Sequence, residues 1–214
     1  MLERWTRECY HASMNLGEAQ HPPILKPLGD VMTERLELRS FRSEDLDDLA
    51  VVFAKPEVWR FPYRRGLSRE ETAAFLETQL QEWNTCGFGC WIAVERASDR
   101  VIGYLGISVP TFLPEVLPAV EVGWRLDPEV WGRGYASEGA RASLAEAFTT
   151  LGLDEVCSIP QRDNPASSRV CERIGMRLER EVAIPANSRR GELTGLLYKM
   201  TRADWLSEES PDRP

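Results

Sequence analysis

One short stretch, Val130-Trp131-Gly132-Arg133-Gly134-Tyr135-Ala136-Ser137-Glu138, constrains the fold more than any other. Residues 120–126 before it alternate like a strand, and a helical pattern runs from about residue 136 to 151. A strand must therefore become a helix within a few residues, through two glycines. Glycine accepts backbone conformations that turn successive N–H groups toward one point. The start of a helix adds a positive dipole end there. Such a turn is a ready anion site, above all for a phosphate or pyrophosphate, and Arg133 supplies a charge-assisted contact. The same two glycines also suit a plain tight turn, because short glycine patterns recur by chance.

Two phosphate-binding motifs can be compared with it. A P-loop is excluded, since no G-x-x-x-x-G-K followed by Ser or Thr occurs. A dinucleotide fingerprint is nearer: Gly132-x-Gly134-x-x-Ser137, with Asp154 and Glu155 about 20 residues on. Its third position is Ser rather than Gly or Ala, and hairpin-type strands precede it instead of an opening strand–turn–helix. An NAD(P)-binding oxidoreductase stays open as an alternative.

The rest of the chain reads as mixed α/β. Strands are expected at residues 36–40, 90–95, 101–109, 120–126, 155–159, 176–183 and 192–200. Leu46, Leu49, Ala50 and Phe53 follow helical spacing, and Ser68-Arg69-Glu70-Glu71 is a capping box opening a second helix. Asn164-Pro165 is an N-cap followed by proline, opening a helix to Ile174. Residues 1–31 lack periodicity and read as a flexible extension; the fold is expected over 32–206, and 207–214 form a polar tail.

Composition narrows the function classes. With 214 residues, 43% hydrophobic and 28% charged, the chain suits one soluble domain. A net charge of -8 disfavours a nucleic-acid partner and suits a cationic or amine one, or simple solubility. No apolar run approaches the ~20 residues of a membrane helix. The five cysteines make an odd count and no apolar leader precedes them, so reduced thiols and a cytoplasmic location are expected. Cys86 and Cys90 are close in sequence, but zinc would want a second pair of ligands, and the only histidines are His11 and His21. No metal is expected.

Longer motifs carry a resemblance. Glu121-Val122-Gly123-Trp124-Arg125-Leu126-Asp127-Pro128, followed by Trp131-Gly132-Arg133-Gly134-Tyr135-Ala136-Ser137-Glu138, resembles the acetyl-CoA-binding core of GNAT N-acetyltransferases. It is most similar to the branch that contains the ribosomal-protein alanine acetyltransferases. Gly134 and Ala136 match the last two positions of that family's pyrophosphate loop, with Trp131 where Gln or Arg is usual. Downstream, Asn164-Pro165-Ala166-Ser167, Val170 and Arg173-Ile174-Gly175-Met176 are similar to a second element of the branch, with Arg173 for Lys and Met176 for Phe. The resemblance spans about Thr33 to Trp205.

It implies a GNAT fold, with a central mixed, mostly antiparallel sheet flanked by helices, and acetyl transfer from acetyl-CoA to a primary amine in a ternary complex. The pyrophosphate would rest on backbone amides at Gly132, Arg133, Gly134, Tyr135, Ala136 and Ser137, beside Trp131. The pantetheine arm would run along Trp124–Leu126, a strand that in the family splays from its neighbour and leaves backbone groups free, with Asn164 facing it and the Leu126 N–H donating to the thioester oxygen. A free α-amine has pKa ~8 and lysine ~10.4, so attack needs a base. Glu121 is the candidate, against a plain solvated or paired carboxylate, and Glu138 reads as a structural or polar contact. Ser167 is the candidate proton donor to the thiolate, against a plain helix-start hydroxyl, and Tyr198 reads as core or cleft wall. Trp59, Arg60, Phe61, Tyr63, Arg64 and Arg65 fall where the family lines its acceptor cleft, or form a surface arginine group. The acceptor would be a protein N-terminal amine or a small-molecule amine, and the resemblance suggests a homodimer. A CoA-binding module or sensor without transferase activity is the other alternative.

Overall fold

The computed structural model describes residues 27–187 and 189–208. Its strands are β1 (Val31–Met32), β2 (Leu36–Arg39), β3 (Cys90–Glu95), β4 (Arg100–Ser108), β5 (Glu121–Leu126), β6 (Glu155–Ser158), β7 (Arg177–Ile184) and β8 (Leu193–Thr201). Its helices are α1 (Leu46–Phe53), α2 (Arg69–Cys86), α3 (Tyr135–Thr149), α4 (Pro165–Arg173) and α5 (Arg202–Glu208). One sheet runs in the order β1-β2-β3-β4-β5-β6-β8-β7. Every neighbouring pair is antiparallel except β5 and β6. This is a mixed sheet, not the parallel sheet of a dinucleotide-binding fold.

Side-chain alternation sends the two faces to different cores. Ile92 and Val94 of β3 pack with Leu49, Val52 and Phe53 of α1 and Leu76 of α2. Trp91 and Ala93 of the same strand join Leu105, Ile107 and Val122, under Leu144 and Phe148 of α3. Burial on both faces explains why β3 reads as a continuous apolar run. A third cluster, with Leu113, Cys157, Ile184 and Leu197, fills the end of the sheet where β6, β7 and β8 lie.

Local chemistry sets the helix ends. Ser68 Oγ accepts the Glu71 N–H, and the Glu71 carboxylate accepts the Ser68 N–H at 2.9 Å, completing the capping box that opens α2. Gly87, at φ 71°, closes that helix. Helix α3 lies close on the sheet because residue 139 is glycine: a Cβ there would stand 2.2 Å from Leu105 Cδ2.

Two features at the ends were not read from the sequence. Leu28 is buried, its N–H bonds the Gly87 carbonyl, and Gly29 O accepts from Trp91 Nε1 at 3.0 Å. The packed chain therefore reaches back before Met32; residues 1–26 of the expected extension lie outside the described residues. Helix α5 continues directly from β8, and Trp205 packs on Phe148 with ring centroids 5.5 Å apart.

The tight approach of α3 gives a test. Gly139→Val would overpack the contact with Leu105 and cost about 1–3 kcal/mol. We expect a lower urea midpoint in chemical unfolding followed by circular dichroism.

Candidate active site

Strand β5 uses its two edges differently. Its register with β4 runs unbroken from Ser108–Glu121 to Gly103–Leu126, and the Asp127 N–H bonds the Ile102 carbonyl at 2.7 Å. Bonding alternates along an antiparallel strand, so Glu121, Gly123 and Arg125 direct their backbone groups at β4. Val122, Trp124 and Leu126 direct theirs the other way. On that side β6 meets β5 at a single residue pair, Glu121–Cys157, where the Cys157 N–H bonds the Val120 carbonyl at 2.9 Å. Beyond it the strands part, leaving a wedge edged by the backbone of β5. The Leu126 carbonyl is taken by Trp131 Nε1 at 2.8 Å; its N–H and the Trp124 backbone remain toward the wedge. An unpaired strand edge is a hydrogen-bond template for an extended ligand.

The turn after β5 ends at the same mouth. Gly132 and Gly134 have φ of 73° and 88°, which L side chains rarely adopt. Gly134 is the N-cap of α3 and offers no side chain to its amides. The N–H groups of Gly134, Tyr135, Ala136 and Ser137 find no acceptor among the described residues, as expected for a helix start awaiting an anion. Ser137 Oγ is buried and likewise without a partner. Arg133 is exposed beside them, 3.6 Å from the Glu95 carboxylate.

A clamp from the far end of the chain holds this turn. The Glu138 carboxylate accepts from Thr33 Oγ1 (2.6 Å), the Arg35 N–H (2.8 Å) and Arg35 Nε (2.7 Å). Arg35 Nη1 donates to the Arg133 carbonyl at 2.8 Å, and its guanidinium lies 4.4 Å from the centre of the Tyr135 ring. Burial alone would raise the Glu138 pKa, but these donors outweigh it and hold the carboxyl below its ordinary value. Tyr135 is fixed at its other end by donating to Glu95 at 2.5 Å.

The opposite face of β5 carries Glu121 and Arg125. Arg125 Nη1 donates to the Val58 and Phe61 carbonyls at 2.6 and 2.7 Å, and its guanidinium stacks over Trp59. It thereby ties the segment between α1 and α2 to the strand. Trp59 stacks on Tyr63 and is 6% exposed, so it is packed rather than displayed, while Phe61 and Tyr63 are half-buried. Arg65 pairs with Glu71. Glu121 Oε1 accepts the Ile159 N–H at 3.1 Å. Burial pushes its pKa up to about 7, and among the described residues it has no Lys or Arg ion-pair partner.

The structure gathers Trp131, Gly132, Arg133, Gly134, Tyr135, Ala136 and Ser137 at one turn and puts Trp124 and Leu126 on the wedge edge. Glu121 is at the apex, and five residue steps along the strand take it to Leu126, about 17 Å at ~3.4 Å per residue. These two do not meet at one reacting atom. Trp124 is nearer, at about 10 Å. Asn164 caps α4, its Oδ1 accepting the Ser167 N–H at 3.3 Å. No hydrogen bond joins Asn164 or Ser167 to β5 among the described residues. Tyr198 is buried, with its hydroxyl donating to Glu172. Cys86, Cys90, Cys157 and Cys171 are buried thiols, and burial pushes Cys90 and Cys157 well up. Among the described residues no His/Cys/Asp/Glu group could hold a metal, and no helix is long and apolar enough to cross a membrane. Cys9, His11 and His21 lie outside them. Sequence reasoning missed Arg35, whose partners stand about a hundred residues away.

Comparison with known proteins agrees with this geometry. The family profile described as "Acetyltransferase (GNAT) domain" matches residues 35–177. This chain belongs to the GNAT acetyltransferase family. An Aspergillus fumigatus protein named FsC-acetyl coenzyme A-N(2)-transacetylase is 30% identical over 190 residues, 84% of this chain and 79% of its own length. An acetyltransferase of Agrobacterium tumefaciens superposes with TM-score 0.66 at 27% identity, covering 87% of this chain and 97% of that one. The ribosomal-protein-S5-alanine acetyltransferase of Vibrio fischeri shares the fold, with TM-score 0.65 and 19% identity over 82% of this chain and 98% of that one. GNAT enzymes use acetyl-CoA, and the free amides at the glycine turn and the open strand edge suit its pyrophosphate and pantetheine.

The clamp predicts a pH signature. A depressed carboxyl contributes stability that is present above its unfolded pKa and is lost as pH falls through its folded one. Glu138→Gln should cost about 1–3 kcal/mol at neutral pH, and the difference from wild type should shrink below about pH 4. Urea unfolding at the two pH values measures both.

Proposed function

We propose that this chain transfers the acetyl group of acetyl-CoA to a primary amine by direct attack within a ternary complex. The observation that carries the reading is the union of a wedge edged by open strand backbone, an anion-seeking turn at its mouth and a carboxyl poised near neutrality at its apex. Acetyl-CoA, when bound, supplies the activated acetyl group and a thiolate leaving group. The amides of Gly134, Tyr135, Ala136 and Ser137 hold the pyrophosphate, with Gly132, Arg133 and Trp131 around it. The edge of β5 pairs with the pantetheine arm, the Leu126 N–H among its donors, and Asn164 lines the other side. Of the wedge-facing donors, the Trp124 N–H is the better placed to polarise the thioester oxygen, because Glu121 then reaches the same centre through water. Glu121 takes the proton from the incoming ammonium. Ser167 donates a proton to the departing thiolate. A thiol of pKa ~8.5 needs little such help.

The acceptor is a protein N-terminal amine or a small-molecule amine. Two relatives support the range: one is named for acetylating an N(2) nitrogen of FsC, and another for acetylating a ribosomal-protein alanine. One fold serves both because the acceptor side differs while the donor side is reused.

Calorimetric titration of acetyl-CoA, CoA and NAD(P) tests the donor site. We expect the CoA species to bind, and Gly134→Trp to abolish binding by filling the turn. Binding of NAD(P) alone would overturn the reading. Binding without acetyl transfer across a broad amine panel would leave a CoA-binding module instead.

The base gives a second test. Glu121 is competent when ionised, so kcat/KM should rise with pH and level off above about 7. Glu121→Gln should lower kcat on the order of 100-fold and remove that acid limb. A wild-type limb that persists in the variant would assign the base elsewhere.

A further inference from the structure

A second carboxyl lies near Glu121 and has no role so far. Glu82, in the last turns of α2, is half-buried, and burial raises its pKa to about 7. Among the described residues no Lys or Arg pairs with it; its one side-chain hydrogen bond comes from Gln79 Nε2 at 3.2 Å. Gln79 is itself 6% exposed, and its Oε1, on the amide that lies against Glu82, accepts from nothing. The Glu82 carboxylate thus keeps acceptor capacity with no cation beside it. Unsatisfied buried acceptors are costly, more so when charged, unless a ligand completes them.

Space for that ligand is present. Glu82 and Ser108 wall a recess with Phe88 and Val109 as apolar sides, and its room is that of one water-sized group. A primary ammonium has that size, three donors, and a methylene stem suited to the apolar sides. The recess adjoins the site. Ser108 stands directly opposite Glu121 in the β4–β5 register, so their Cα atoms are about 5.5 Å apart. Burial raises the pKa of the Cys90 thiol and the charges of Glu82 and Glu121 raise it further, so this thiol neighbours both carboxyls.

We propose that this recess binds a second, non-reacting ammonium of the acceptor, which makes the preferred substrate a small diamine or longer polyamine. This rests on the acetyl-transfer reading above and narrows its substrate class. The reacting amine sits at Glu121, and the distal one donates to Glu82 and the Ser108 hydroxyl. A net charge of -8 favours the approach of such a cation. A protein N-terminus presents a second cation only where a basic side chain follows it.

The test compares diaminobutane with butylamine as acceptors, in steady-state acetylation at saturating acetyl-CoA. Wild type should prefer the diamine, and Glu82→Gln should lower the diamine-to-monoamine ratio of kcat/KM about tenfold, mostly through KM. Ser108→Ala should lower the ratio in the same sense and guards against a fold defect in the first variant. Equal use of both amines by wild type, or a ratio untouched by both variants, would overturn the proposal while leaving acetyl transfer intact. If neither amine is acetylated, calorimetry of diaminobutane into the CoA complex decides: binding weakened by Glu82→Gln supports the recess, and no binding rejects it. Loss of acetyl-CoA binding itself would instead fail the underlying reading.

Discussion

Everything at this site follows from two parallel strands that share one residue pair. Had β5 and β6 stayed zipped, the backbone of Trp124 and Leu126 would be spent on the sheet. Because they part after Glu121 and Cys157, that backbone becomes a surface. The sheet tolerates the gap because β5 is fully laddered to β4 on its other edge and β6 to β8. The cores above and below do not depend on the missing bonds. Leu126 remains buried under α3 even though its N–H faces the wedge. Packing thus supplies the rigidity that hydrogen bonds would otherwise give, and the strand edge stays pre-organised.

Charge divides along the same axis. At the mouth of the wedge, a helix start and Arg133 favour an anion. At the apex, Glu121 and Glu82 sit in low-dielectric surroundings without cationic partners and favour a cation. Arg125, the nearest guanidinium to Glu121 in the strand, is committed to the carbonyls of Val58 and Phe61. It braces the aromatic segment instead of neutralising the acid. Two ligands of opposite sign can therefore approach one strand from its two ends without competing.

Much of this was legible in the residues. The capping box at Ser68, the Asn164-Pro165 helix start and the glycine turn are local signals, and each fixed an element end to within a residue or two. The strands β3 and β8 stood out by apolar pattern alone. Long-range facts were not legible. Nothing near Arg35 announces that its guanidinium will grip Arg133 and Glu138, and nothing near Glu82 announces that β4 will bring Ser108 to it. Leu28 gave no periodic signal because it packs as a single plug. Residue alternation alone does not encode the parting of β5 and β6, which is a difference in strand direction; the family resemblance implied it. The separation of Glu121 from Leu126 was countable from the sequence, and the known spacing of a strand decides it.

The grip of Arg35 on the glycine turn has a consequence for how this domain comes into being. The hairpin that carries Thr33 and Arg35 is made first, and the turn it steadies is made about a hundred residues later. The nascent chain therefore holds half of a binding site long before the other half exists. Once α3 docks, the Glu138 carboxylate and the Arg133 carbonyl tie its start to the N-terminal hairpin. A ligand held by the turn would therefore also hold the N-terminal hairpin in place, since opening the hairpin would undo the grip on the turn.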